Sequence, residues 1–215
     1  MISSPDAPET SFPWPPPEGG STLESLVETW RQSLFQPSSF FSAMPTPARV
    51  GPAIVYYLIV GVAASGVNLF WQMVFQITPG LGRLSTGSGP SLLGGWEPLI
   101  SFFFSPIYLL IGLGISFIIT HLLLLLFGGA KRGASTTFRV LSFSYGPAIF
   151  AIVPFVGSMV GGIWTIVLAV IGLREAHQTD TWRVVLAVLF PLIAIVVLVT
   201  IVTLVVGTVA ALLVL

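Results

Sequence analysis

From Val140 to Leu173 the chain runs for thirty-four residues without a charge, VLSFSYGPAIFAIVPFVGSMVGGIWTIVLAVIGL, and stops at Arg174, with Glu175 and His177 close behind. One membrane helix needs ~20 apolar residues. The run is too long for one and suits two short helices folded back at Pro154-Phe155-Val156-Gly157. Composition points to the same solvent: 54% of residues are apolar and 7% charged, against roughly 25% charged in soluble domains. Dissolved in water, such a chain would expose large apolar patches and aggregate. Net charge is zero, so no basic field exists to hold nucleic acid. The absence of cysteine excludes disulfides, thiolate metal sites and thiol nucleophiles.

The N-terminal twenty residues are acidic and proline-rich, with neither a basic start nor an apolar run. They read as a disordered or extended tail, not a cleavable signal. Ser21-Thr22-Leu23-Glu24 is a capping-box pattern. Behind it Leu23, Leu26, Val27, Trp30 and Leu34 form one helical stripe that ends at Pro37. Residues 21–48 are therefore expected to be an interfacial amphipathic helix and linker, with Trp30 and Phe40-Phe41 at interfacial depth. Residues 49–215 then carry five spans, at about 52–77, 99–127, 140–153, 158–173 and 184–213. Pro147, inside the third, kinks that helix or starts it late. The glycine-rich loop at 78–97 lacks the Lys and the preceding strand of a phosphate cradle. The fold class is all-α, a membrane bundle of five helices after a cytoplasmic amphipathic helix.

Orientation follows from the cations. With the N-terminus in the cytoplasm, Arg31, Arg49, Lys131, Arg132, Arg139, Arg174 and Arg183 lie inside and Arg83 outside. The Pro154–Gly157 turn and Leu215 then lie on the outer side.

Candidate sites are few. No acid lies within a span, and Ser116 and His121 sit on one helix at i, i+5, a poor geometry for a nucleophile and its base. With only His121 and His177 available, no metal site is expected, and no catalytic residue or cofactor either. On the first span Gly61, Ser65, Asn68, Gln72 and Gln76 share one face, for packing against another helix or for a substrate path. Along the helix, Asn68 lies about 24 Å and His121 about 9 Å from the inner side, at ~1.5 Å per residue. One compact site holding both is disfavoured, and His121 is expected to snorkel or to donate to a neighbouring carbonyl. Gly157 and Gly161 form a GxxxG pair that serves the third–fourth hairpin or a homodimer. Trp164, near mid-span, is expected inside the bundle. The loop between spans four and five, with Arg174, Glu175, His177, Asp180 and Arg183, is the candidate docking surface.

Tyr145-Gly146-Pro147, Pro154-Phe155-Val156-Gly157, Trp164 and Gly172-Leu173-Arg174-Glu175-Ala176-His177 together resemble the Yip family of Rab/Ypt-interacting multispan membrane proteins. Pro37-Ser38-Ser39-Phe40-Phe41 is similar to the entry motif of bacterial members, as is the short tail. The resemblance implies five spans and a non-enzymatic protein acting through partners in membrane organisation, trafficking or export. The implied setting is a bacterial inner membrane, and the implied partners are lipid and other membrane proteins or a second copy. A small GTPase is a partner only in a eukaryotic member. From the residues alone, the alternative is a small transporter or lipid-translocating channel built on the polar stripe of the first span.

Overall fold

The protein, seen here in a computed structural model, is described over residues 12–45, 49–77 and 96–214. Those residues form seven α-helices and one 3-10 helix: α1 (Thr22–Phe35), α2 (Pro37–Ser42), α3 (Gly51–Ile77), α4 (Glu97–Leu126), α5 (Ala134–Phe143), the 3-10 helix (Gly146–Ile152), α6 (Val156–His177) and α7 (Thr181–Val214). Four of them, α3, α4, α6 and α7, are long and apolar enough to cross a membrane. The glycine-rich loop falls, except for its last two residues, outside the described residues.

The third expected span is not one helix. The α-helix stops at Phe143 and a 3-10 helix continues from Gly146. Pro147 is the cause: it has no N–H to donate, and its ring would strike the carbonyl four residues back. The hydroxyls of Ser142 and Ser144 take up the carbonyls of Phe138 and Val140 at 2.9 and 2.8 Å, further loosening the α ladder. At the far end the Trp71 indole N–H donates to the Ile152 carbonyl at 3.1 Å, partnering an oxygen that the end of the helix leaves over.

The 3-10 helix and α6 form the expected hairpin. Phe155 makes the turn with φ 63° and ψ −68°, and the Val156 amide donates back to the Pro154 carbonyl at 2.8 Å, which is a γ-turn. A Cβ on Gly157 would overlap the Phe150 carbonyl, and one on Gly161 would stand 2.6 Å from the Pro147 oxygen. The two glycines therefore let backbone meet backbone inside this hairpin. Gly162 has nothing within 4 Å of its Cβ position.

α4 runs antiparallel to α3: Leu109 lies opposite Gly61, Phe102 opposite Gly66, and the Tyr57 hydroxyl donates to the Leu109 carbonyl at 3.2 Å. Among the described residues, the cations outside α1 gather at the end where α3 begins. There Arg139 reaches Pro45, Lys131 reaches Gln178, and Arg183 reaches Gly128. We call it the basic end. The far half of α7, with Leu198, Val199, Ile201 and Val202, turns its side chains outward.

The N-terminal segment packs more closely than its composition suggests. Trp14 is buried and donates to the Pro52 carbonyl at 2.6 Å, while Phe12 packs at a tilt on Phe40 and edge-on against Phe143. The packed chain thus begins well before residue 20. Ser21 caps α1 by accepting from the Glu24 amide at 3.3 Å. The apolar stripe of α1 divides: Leu34 is fully buried and Leu26 and Trp30 pack on the core, but Leu23 and Val27 are exposed. Pro37 opens α2 rather than only closing α1. Phe40 and Phe41 are buried core residues, not interfacial anchors. Phe41 fills the space that Gly172 leaves open, at 2.9 Å from where a Cβ would stand.

Candidate functional site

The expected docking loop is mostly helix. α6 continues through Arg174 and Glu175 to His177, and α7 starts at Thr181, so only Gln178–Asp180 lie between them. α6 ends on Gln178 in the left-handed conformation, φ 50° and ψ 55°. The amides of Gln178 and Thr179 return to the carbonyls of Glu175 and Arg174, a cap that more often uses glycine. Lys131 Nζ donates to the Gln178 carbonyl at 3.1 Å and Arg183 Nη1 to the Gly128 carbonyl at 2.8 Å. The α6–α7 corner and the 128–133 turn are thereby stitched together. Arg174 pairs with Glu175, and Arg183 with Asp180 at 3.1 Å. Asp180 is exposed and Arg174, Glu175 and Arg183 are half-buried, all on a fixed backbone.

His177 does not belong to that surface. It is fully buried, in place of the loop position expected from the sequence. Its Nδ1 accepts from the Arg132 amide at 3.1 Å, and its Nε2 lies 2.9 Å from the Thr137 hydroxyl. Because an amide can only donate, Nδ1 carries the lone pair and the neutral ring holds its proton on Nε2, directed at Thr137. The Thr137 proton is then free for His121 Nδ1, 3.0 Å away. His121 also stacks on Phe117, ring centres 5.7 Å apart. The expected carbonyl partner of His121 is replaced by a hydroxyl on α5, and the two histidines share it. Thr137 was missed because one sequence carries no sign of which hydroxyl a distant imidazole will meet. His177 had a visible signal: Leu168, Ala169, Gly172, Leu173, Ala176 and His177 are all buried and repeat at helical spacing.

The polar stripe of α3 meets a different partner. Between α3, the 3-10 helix and α6 lies a groove of about 280 Å³. Ser65, Asn68, Tyr145, Ser158 and Thr165 supply its polar lining. Pro147 and Gly161 form part of the wall. Ser65 returns its hydroxyl to the Gly61 carbonyl at 2.9 Å, while Asn68 and Gln72 are exposed. His121 lies elsewhere, on the α4–α5 contact. Trp164 is 36% exposed and not interior; Thr165 takes the place on the groove wall. Pro154 stays in the turn, between the 3-10 helix and α6. Among the described residues no cluster of three or more His, Cys, Asp or Glu could hold a metal.

The family model of the Yip1 domain matches residues 31–213. No curated protein and no solved structure matches the chain.

Proposed function

The chain belongs to the Yip1 domain family, and from that premise we propose a non-enzymatic multi-pass membrane protein that works by docking other membrane proteins, or a second copy of itself, in membrane organisation or export. One observation carries the reading. The corner at Arg174, Glu175, Asp180 and Arg183 presents charged side chains on a backbone clamped by Lys131 and Arg183. Anchoring and orientation need the cations, but neither needs the carboxylates. A fixed pattern of both signs is what a protein partner can read, since complementary charge selects partner and register. The test is site-specific photocrosslinking from Thr179 in intact membranes. Arg174→Ala with Asp180→Ala should abolish a discrete adduct and leave protein level unchanged. An adduct that survives both changes overturns the reading. His177 is left intact in this test because it is buried.

The proposed topology has five crossings, with the cytoplasm at the basic end. Arg139 lines one cavity with Pro52, and Ile152 is bonded to Trp71. The fourteen residues from Arg139 to Ile152 thus accompany the twenty of α3 from Pro52 to Trp71. The steeper rise of the 3-10 form, ~2.0 Å per residue against ~1.5 Å, supports a crossing by this short broken rod. A reporter joined after Leu215 should read the outer side; an inner reading leaves four crossings.

The groove favours a second reading, passage of lipid or solute along Asn68. Exposed amides at membrane depth usually face a cavity or another helix. Asn68→Leu with Ser158→Ala would stop transport by reconstituted protein under that reading, and would leave the crosslinked adduct untouched under the first.

A further inference from the structure

Arg139 serves none of the contacts described so far except one. It is 5% exposed, and a single Nη1–H donates to the Pro45 carbonyl. Among the described residues no carboxylate pairs with it. A guanidinium offers five N–H donors in a planar fork, so most of the fork is uncommitted. A buried cation without an anion is costly unless something compensates it. Beside it is a cavity of about 200 Å³ lined by Trp14, Pro45, Arg49, Pro52, Arg139 and Phe143. The lining thus holds two arginines and, among the described residues, no acid; the rest of the wall is rings, proline and Ala53.

We propose that this cavity binds the phosphate of an anionic phospholipid, with Arg139 gripping two phosphate oxygens, Arg49 supplying a second charge, and Trp14 and Phe143 covering the glycerol. Two observations favour a lipid as the source of the phosphate. The cavity sits at Pro52, in the first turn of a span, where headgroups lie. Its volume equals about seven waters at ~30 Å³ each, enough for a phosphodiester and part of its glycerol. Two cations against one phosphodiester favour a lipid whose headgroup adds no positive charge. The planar fork suits phosphate better than a lysine would. This inference is independent of the partner-docking reading, because no residue of the α6–α7 corner enters it.

The test is native mass spectrometry of the full chain in neutral detergent, titrated with phosphatidylglycerol, phosphatidylcholine or inorganic phosphate. Wild type should retain one phosphatidylglycerol where phosphatidylcholine is lost. Arg139→Gln should weaken retention by about tenfold or more and Arg49→Gln by about threefold, in keeping with a buried bidentate and an exposed single contact. Phosphatidylglycerol should also raise the thermal midpoint of wild type and not of Arg139→Gln. Equal retention by Arg139→Gln, or equal binding of phosphatidylcholine, overturns the proposal. Full displacement of the lipid by millimolar phosphate shows a site for soluble phosphate and overturns the lipid assignment. Should Arg139→Gln not fold, Arg139→Lys decides: it keeps the charge without the fork, and wild-type retention by it refutes the bidentate grip.

Discussion

The two ends of α6 are joined to the rest of the molecule by opposite means. At the hairpin end Gly157 and Gly161 lie against the carbonyls of Phe150 and Pro147, and the contact works because no side chain is there. At the basic end His177 is held through both ring nitrogens, by the Arg132 amide and the Thr137 hydroxyl. The first junction specifies shape and ignores chemistry. The second specifies the direction of each hydrogen bond. In hydrocarbon both are sound solutions, because close backbone approach and satisfied polar groups replace the hydrophobic effect as the source of helix association.

The largest effect should come from the hairpin. Gly157→Ala places a methyl on the Phe150 carbonyl, backbone that no rotamer change can move aside. We expect a loss of about 3 kcal/mol or more, at the upper end of overpacking costs, read as the unfolding midpoint in detergent. Gly162→Ala, five residues along the same helix with open space at its Cβ, should be neutral within about 0.5 kcal/mol. Equal effects would end the claim that this junction is steric.

Gly172→Ala probes where the two means meet. Its Cβ would stand 2.7 Å from Val140 Cγ1 and 2.9 Å from the Phe41 ring, side chains that can shift. The expected cost is about 1–3 kcal/mol. Phe41→Leu should recover part of it in a double-mutant cycle, whereas no second change should rescue Gly157→Ala.

Thr137→Val keeps the shape at the basic end and removes the shared hydroxyl. The Nε2–H of His177 then has no acceptor from Thr137, a cost of about 1–2 kcal/mol. Thr137→Ser should lose much less. Nitrogen NMR of His177 should report the Nε2–H tautomer in wild type; the Nδ1–H form would contradict the bond from Arg132.

How much of this was legible follows the same division. Apolar length gave α3, α4, α6 and α7 to within a few residues, and Pro154 with Gly157 gave the hairpin, because proline and glycine act locally. The family resemblance rested on those same punctuating residues and is matched over residues 31–213. Partnerships over long separations were not legible. Thr137 meets His177 forty residues away, and Arg139 meets Pro45 at ninety-four. Arg139 looked like one more orienting cation, since a charge beside an apolar run carries no mark of whether it faces water or core. His177 was misplaced because Arg174 and Glu175 resemble a helix end. The helix continues because its buried stripe continues past them.

The smallest expected effect separates burial from bond type. Glu28 on α1 accepts from Arg31 at 2.9 and 2.7 Å and from Gln32 at 2.7 Å. By count of hydrogen bonds it is better served than His177. The bond from Arg31, then that from Gln32, holds its carboxyl down to about 2, below the ordinary 4.5. A depressed carboxyl contributes stability above its unfolded value and loses it as pH falls from about 4.5 towards 2. Yet Glu28 and Arg31 are well exposed, and water screens the pair. Glu28→Gln should therefore cost only about 0.3–0.5 kcal/mol at neutral pH, less in high salt, and nothing below the titration. A cost matching that of Thr137→Val would mean that polar bonds matter to this fold wherever they stand. A small, salt-sensitive one leaves burial as the reason the basic end holds α6.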